Sequence, residues 1–370
     1  VSEPPIDPKT EANYQEQLRA LIAEVSKSQS IPLESLELGF RDSKNLSQIK
    51  KLVAPPSVTF QKNWRVYRSR FVEPVRIKAG LTFIEQNRSA LVAAEQESGV
   101  PYQVIAAIIG VETIYGKQMG TFSTKDTLIT LGFQYPNTPN RASRETLFKN
   151  QLEDLILLCW QENPKSKLFK SCLNQTGSYA GAIGLPQFMP SSIRKFGIDG
   201  DKDGKIDLRN SPEDAIASVG NFLKMHGWVK DEPVYLKMMM SNETLAIAQK
   251  LADGEPKAKL QLGQLIKEKI IESSTLPEST PSLVVDLPSP ASNGETEVQY
   301  VIGLRNFIAI CDYNRSFFYA QSVAEFADAL RGTPLSEATI AKKSVKKTKK
   351  PSKKASSKKS KNISQANQNN

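Results

Sequence analysis

Few residues in this chain are of types and spacings able to do chemistry, and Glu112 is first among them. It follows eight apolar or small residues, 104–111, in the stretch IIGVETIYGKQMG. Nothing between residues 102 and 110 interrupts a helix, and Pro101 suits a first helical turn. Residues three, four and seven apart share a helix face. Ile109, Ile108 and Ile105 precede Glu112 by those intervals, so Glu112 sits where the apolar stripe should continue. Burying an unpaired carboxylate is costly, and desolvation raises its pKa. A carboxyl kept protonated near neutral pH is what a general acid requires. The alternative is a helix that ends here, with Glu112 turned to solvent or paired with Lys117.

Three further stretches place polar groups at suggestive intervals. GSYAGAIGLPQFMPSS, residues 177–192, sets Gly177, Gly181 and Gly184 among Ala and Ser, which implies close backbone approach. Pro186 would suit the start of a helix over 185–196. This piece is either the wall of a substrate groove, with Ser178 and Gln187 supplying hydrogen bonds, or a tight turn between packed helices. DGDKDGKIDLRNSPEDAI, from Asp199, opens as the first half of an EF-hand calcium loop. Asp199, Asp201 and Asp203 fall at positions 1, 3 and 5, Gly204 at the sharp turn, and Lys205 where a backbone carbonyl ligates. Asn210 stands where a Glu should close the loop, so Asp214 is expected to close a lengthened one. Ser211, Pro212 and Asp214 fit a helix start equally well. DYNRSFFY, residues 312–319, mixes the aromatic faces of Tyr313 and Tyr319 with the amide of Asn314, as sugar sites do. An aromatic core at a sheet edge would read the same way.

Composition removes other chemistries. The chain of 370 residues has one histidine, His226, which argues against Ser-His-Asp or Cys-His catalysis and multi-His metal sites. No organic cofactor is implied. The net charge of +10 is local: residues 341–370 hold 11 Lys and no acid, and without them 38 Lys and Arg face 39 Asp and Glu. That tail has no Arg and no aromatic, so it offers charge without base readout or stacking. It suits anionic envelope polymers better than specific nucleic acid. Three cysteines are too few for a disulfide scaffold. Cys159 and Cys172 flank a polar loop and are either a disulfide closing it or two buried thiols; Cys311 reads as core. No apolar run approaches the ~20 residues of a membrane span, and the first residues show no basic-then-apolar pattern.

The elements that must position these groups are mostly helical. Helices are expected over 10–27, 80–98, from 102 through Glu112, and over 126–133, 144–159, 185–196 and 212–226. After Trp228 the texture changes to Pro- and Ser-rich segments with β-like runs, SLVVDL and VQYVIGLRNFIAICDY, before a helix over 322–331. The reading is a mainly α, α+β protein. It has an N-terminal helical part over 1–80, a helical core over 81–230 carrying the loop 199–214, a small β domain with a returning helix over 231–335, and a disordered tail over 336–370.

GVETIYGKQMG, GSYAGAIGLPQFMPSS, the aspartate loop and DYNRS, in this order, resemble the lytic murein transglycosylase B family of Gram-negative bacteria. WRVYRSRFVEPVRI, residues 64–77, is similar to that family's N-terminal block. The resemblance implies a lysozyme-like helical core with a flanking helical domain and a small β domain. It implies a periplasmic monomer acting on the glycan strands of peptidoglycan. The bond cleaved would be the β-1,4 link from N-acetylmuramic acid to N-acetylglucosamine, leaving 1,6-anhydromuramic acid. Glu112 would be the catalytic acid and then base, with Tyr67, Ser178, Gln187 and Asn314 in the substrate site. Calcium would be held by Asp199, Asp201, Asp203, the Lys205 carbonyl and Asp214. The chain departs from the family at Asn137 and Thr138, where paired Arg often follow the F-x-Y-P segment. Readings from other classes are a catalytically silent peptidoglycan-binding scaffold and a basic-tailed nucleic-acid-binding protein.

Overall fold

The computed structural model describes residues 8–55, 61–164 and 167–332. The Lys-rich tail lies outside these residues. The described residues belong to one compact unit.

Three helices lead the chain: α1 (Pro8–Gln29), α2 (Leu33–Phe40) and α3 (Ser47–Val53). The central part comprises α4 (Trp64–Ser69), α5 (Pro74–Gln86), α6 (Arg88–Ser98), α7 (Tyr102–Thr113), β1 (Phe122–Ser123), α8 (Thr124–Phe133), α9 (Arg141–Glu162), α10 (Lys167–Leu173), β2 (Thr176–Gly177), α11 (Pro190–Phe196) and α12 (Pro212–Met225). The last part holds β3 (Tyr235–Lys237), α13 (Asn242–Leu251), β4 (Leu260–Gln261), α14 (Leu262–Lys267), β5 (Pro281–Pro290), β6 (Thr296–Gly303), α15 (Arg305–Tyr313) and α16 (Phe317–Leu330).

The core is built around α7, which packs against α5, α6, α12 and α16. Every residue from Val104 to Val111 is buried, so the helix is apolar on all sides, as a central helix must be. Ile105, Ile108 and Ile109 are fully buried, each contributing roughly 2 kcal/mol of transfer free energy. The leading helices cover α8. There the Lys44 and Leu46 amides donate to Asp126 Oδ1 and Thr130 Oγ1 (3.1 and 2.9 Å), and buried Lys125 donates to the Gly39 carbonyl (3.0 Å).

The antiparallel sheet has strand order β3-β6-β5-β4, with Val284 opposite Ile302. Residues 282–285 of β5 are all buried, so both faces are covered there, which explains the consecutive apolar residues Leu283, Val284 and Val285 within SLVVDL. Val284 and Ile302 join Leu262, Leu265 and Ile270 in a small core under α13 and α14. The opposite face of β5 meets α4 and α16.

Three expectations are corrected. The helix over 80–98 is two helices, because α5 ends at Asn87, whose amide and Nδ2 both donate to the Phe83 carbonyl (3.0 and 2.9 Å). The helix over 185–196 begins only at Pro190. Residues 183–188 form a tight turn in which Ile183 and Phe188 exchange backbone hydrogen bonds. The run LRNFIAICDY, read as strand, leaves the sheet at Leu304 and becomes α15, with Phe307, Ile310 and Cys311 buried on one helical face. Asn306 and Arg305 fix that start, Asn306 by donating to the Val229 and Glu232 carbonyls and Arg305 by pairing with the buried Glu232 carboxylate.

Candidate active site

Glu112 occupies the last turn of α7 and is partly exposed where that helix reaches the surface. Directly after Thr113 the chain makes a left-handed turn: Ile114, Tyr115 and Gly116 have φ of 51°, 56° and 88°. A β-branched residue there is strained by about 1 kcal/mol or more. Several contacts hold the turn. Thr113 Oγ1 donates to the Leu185 carbonyl (2.9 Å) and accepts from the Gly116 amide (3.1 Å). Arg76 Nη1 donates to the Gly110 carbonyl (2.6 Å), placing a cation at the negative end of α7. The Tyr115 ring stacks on Phe83 at 4.8 Å. Its hydroxyl needs Gly110: a Cβ there would lie 2.4 Å from it.

The carboxyl of Glu112 accepts a hydrogen bond from Tyr319 Oη at 2.6 Å, across from the first turn of α16. Burial among aromatic rings pushes the Glu112 pKa up to about 7, and the Tyr319 hydrogen bond pulls it back only in part. Burial and the neighbouring carboxylate drive Tyr319 and Tyr313 well above the ordinary phenol value, so both hydroxyls keep their protons. The Tyr313 and Tyr319 rings lie nearly parallel, 6.3 Å apart, and Tyr313 donates to the Pro186 carbonyl. Tyr67, packed on Phe71 and Phe318, is raised by burial and by Glu112. Thus Tyr67, Tyr313 and Tyr319 gather around Glu112. Asn314 is exposed at the end of α15.

Ser178 and Gln187 line an adjoining cleft of about 580 Å³ together with residues 116–122, Tyr179 and Arg209. Its wall forms where β1 pairs with β2, Phe122 opposite Gly177. Gly120 makes that approach feasible, since a Cβ would fall 2.0 Å from the Gly177 carbonyl oxygen. Ser178 Oγ accepts from the Ala180 and Ala182 amides (3.2 and 3.1 Å), which leaves its own proton to donate. Gln187 has φ of 53°, and its Nε2 donates to the Gly184 and Met119 carbonyls (2.8 and 3.4 Å). Its amide oxygen is left as an acceptor.

Carboxylate oxygens of Asp199, Asp201 and Asp203 lie within 4.8 Å of one another. Three hard oxygen donors on an EF-hand-like turn fit a calcium ion. Asp214 is 1% exposed, and its carboxylate faces the backbone of the loop. Its Oδ1 accepts from the Gly200 and Asp201 amides and its Oδ2 from Asp207 (2.8, 3.4 and 2.7 Å), so it ties the loop backbone to α12. Cys159 and Cys172 form a disulfide with a Cα–Cα distance of 5.6 Å, fastening α9 to α10.

Sequence reasoning missed Arg76, Thr113 and Arg209. Only Thr113 left a trace, as a polar residue at the end of an apolar helix.

Residues 13–328 match a family described as "Transglycosylase SLT domain". The chain is 36% identical over 270 residues to the membrane-bound lytic murein transglycosylase B of Escherichia coli, covering 72% of this chain and 67% of that protein. It resembles the crystal structure of soluble lytic transglycosylase SltB1 from Pseudomonas aeruginosa, with a TM-score of 0.73, 34% identity, and coverage of 85% and 99% of the two chains. The Escherichia coli lytic transglycosylase Slt35, solved in complex with calcium, matches with a TM-score of 0.69 and 31% identity over 86% of this chain and 92% of that one.

Proposed function

The chain belongs to the transglycosylase SLT domain family of lytic murein transglycosylases, and on that premise we propose that Glu112 carries both proton transfers of peptidoglycan cleavage. The protein is a lytic transglycosylase, and its substrate is the glycan strand. The observation that supports the catalytic assignment is a lone carboxyl with a pKa of about 7, hydrogen-bonded by Tyr319 in an aromatic pocket.

Most glycosidases flank the bond with two carboxylates. Among the described residues no second carboxyl perturbs Glu112. One acid suffices if the substrate supplies the nucleophile. Glu112 gives its proton to the leaving oxygen of N-acetylglucosamine. The 2-acetamido oxygen of muramic acid then bonds to the anomeric carbon as the glycosidic bond breaks. Glu112, now a carboxylate, takes the proton of the same sugar's 6-hydroxyl, whose oxygen displaces the acetamido oxygen and closes the 1,6-anhydro ring. No water is consumed, and a desolvated pocket favours both steps. Tyr319 steadies the intervening carboxylate. Ser178 donates to the glycan, the Gln187 amide oxygen accepts from it, and Tyr67, Tyr313 and Asn314 flank the sugars.

Calcium would be held by Asp199, Asp201, Asp203 and the Lys205 carbonyl, with Asp214 bracing the loop. Bound there, it supplies rigidity. The loop reaches the site through Leu208, whose carbonyl accepts from the amide of Leu185 (2.8 Å), the same residue whose carbonyl accepts from Thr113. The compartment is the periplasm, where the substrate lies and where a disulfide persists. Among the described residues no helix is long and apolar enough to cross a membrane.

Mass spectrometry of muropeptides released from purified sacculi tests the chemistry. Products ending in anhydromuramic acid, one water lighter than muramidase products, are expected. Reducing-end muramic acid alone would make the protein a hydrolase, and no release would make it a silent binder.

A further inference from the structure

Lys117 was the sequence's candidate partner for Glu112, yet Glu112 pairs with Tyr319. Lys117 lies exposed in the turn that follows and lines the cleft holding Ser178 and Gln187. Arg209, from the end of the aspartate loop, lines the same cleft. The residues around this cleft include those two cations and no Asp or Glu. Among the described residues no ion pair claims either cation. The Arg209 guanidinium is half-buried and anchored, with Nη1 donating to the Thr176 carbonyl at 3.0 Å. An anchored guanidinium keeps its other N–H groups in a fixed fork, the geometry that matches a carboxylate. A cation on a neutral glycan would waste that match, since N-acetylglucosamine carries no charge. Muramic acid does bear acid, either as its free lactyl carboxylate or as the carboxylates of a peptide joined to it.

We propose that Lys117 and Arg209 form a carboxylate-recognition site in the cleft, selecting strands by the acidic group their muramic acid carries. The proposal rests on the transglycosylase reading for the presence of glycan in the cleft. Arg209 provides the directional contact and Lys117 a longer-range attraction that salt weakens. Neither residue touches the reacting atoms, so the effect falls on binding.

Three disaccharide probes of N-acetylglucosamine linked to N-acetylmuramic acid test it. None contains the muramic-acid-to-glucosamine link that is cleaved, so binding is read independently of catalysis. One carries a tetrapeptide with free carboxylates, one carries only the lactyl carboxylate, and one carries the tetrapeptide with every carboxyl converted to a methylamide. Calorimetry on the full chain should show about five- to tenfold tighter binding of an acidic probe than of the amide probe. Preference for the tetrapeptide acid assigns the contact to the stem, and preference for the lactyl acid assigns it to the sugar. Lys117→Gln with Arg209→Gln should erase the discrimination while leaving binding of the amide probe unchanged. Arg209→Lys should recover only part of it, because the charge returns without the fork. Thermal melts of the variants establish that they fold. Equal binding of acidic and amide probes by the wild type would overturn the proposal, as would a double variant that still discriminates. Binding of none of the probes would overturn it together with the placement of glycan in the cleft. Sacculus digestion that yields no anhydro products while discrimination persists would overturn only the catalytic reading.

Discussion

Glu112→Gln separates catalysis from stability within one experiment. The carboxyl's pKa moves from an ordinary 4.5 to about 7 on folding. At about 1.4 kcal/mol per pH unit this corresponds to about 3 kcal/mol. The sign follows from proton counting. Below pH 4.5 the group is protonated folded or unfolded, and burial carries no ionisation cost. Between 4.5 and about 7 the unfolded chain releases its proton first, so stability falls as pH rises. Above about 7 the whole cost is present. Gln does not titrate, and its amide oxygen can still accept from Tyr319. The variant should therefore match the wild type near pH 4.5 and exceed it by about 3 kcal/mol at pH 8, about 6 °C in melting temperature at roughly 2 °C per kcal/mol. Its activity on sacculi should fall by at least about 10²–10⁴-fold, the usual contribution of general acid–base catalysis. Calorimetric melts at pH 5 and pH 8 measure the first effect and muropeptide release the second. A stability difference that does not change with pH would refute the buried neutral acid. Retention of a tenth of the activity would refute its catalytic role.

Tyr319→Phe removes the donor that pulls the Glu112 pKa down, so the alkaline limb of kcat/KM should move up by about one pH unit; a limb that stays or moves down would contradict the contact. If calcium binds with a Kd of ~0.1 mM, chelation from ~1 mM should cost about 1.4 kcal/mol, a few degrees of melting temperature, and spare most activity at room temperature. Asp203→Ala should erase that shift, whereas Asp214→Ala should lower the melting temperature with or without calcium, because three loop amides lose their acceptor. Gly110→Ala would normally favour a helix by about 1 kcal/mol. Here the new Cβ would meet Tyr115 Oη at 2.4 Å and the Phe326 ring at 2.7 Å. Urea unfolding should show a net loss of about 1–3 kcal/mol.

The apolar setting of Glu112 was legible because a carboxylate interrupting an apolar helix violates local logic, and such violations collect at functional sites. The aspartate cluster was legible because Asp199, Asp201 and Asp203 lie close in sequence. The strand-like reading of α15 followed its β-branched residues and overlooked the spacing of Phe307, Ile310 and Cys311, which already gave a helical face. The break at Asn87 left a weak signal, since one polar residue between two helical patterns looks like surface. Arg76 and Arg209 were beyond the sequence. Their partners are the Gly110 and Thr176 carbonyls, and a backbone acceptor 33 or 34 residues away leaves no mark on composition or period.

The Tyr319–Glu112 contact also has a consequence in time. The two residues are 207 positions apart. A chain made N-terminus first at about 5–20 residues per second presents the carboxyl roughly 10–40 s before its partner exists. Through that interval one side of α7 has no α16 to cover it, and the acid lacks the phenol that steadies its charge. A chain cut short anywhere before α16 carries the Glu112 motif complete but has neither Tyr319 nor the helix that packs on α7. The surroundings of Glu112 are therefore complete only once α16 has been made, so the geometry of this one carboxyl depends on nearly the whole length of the described fold.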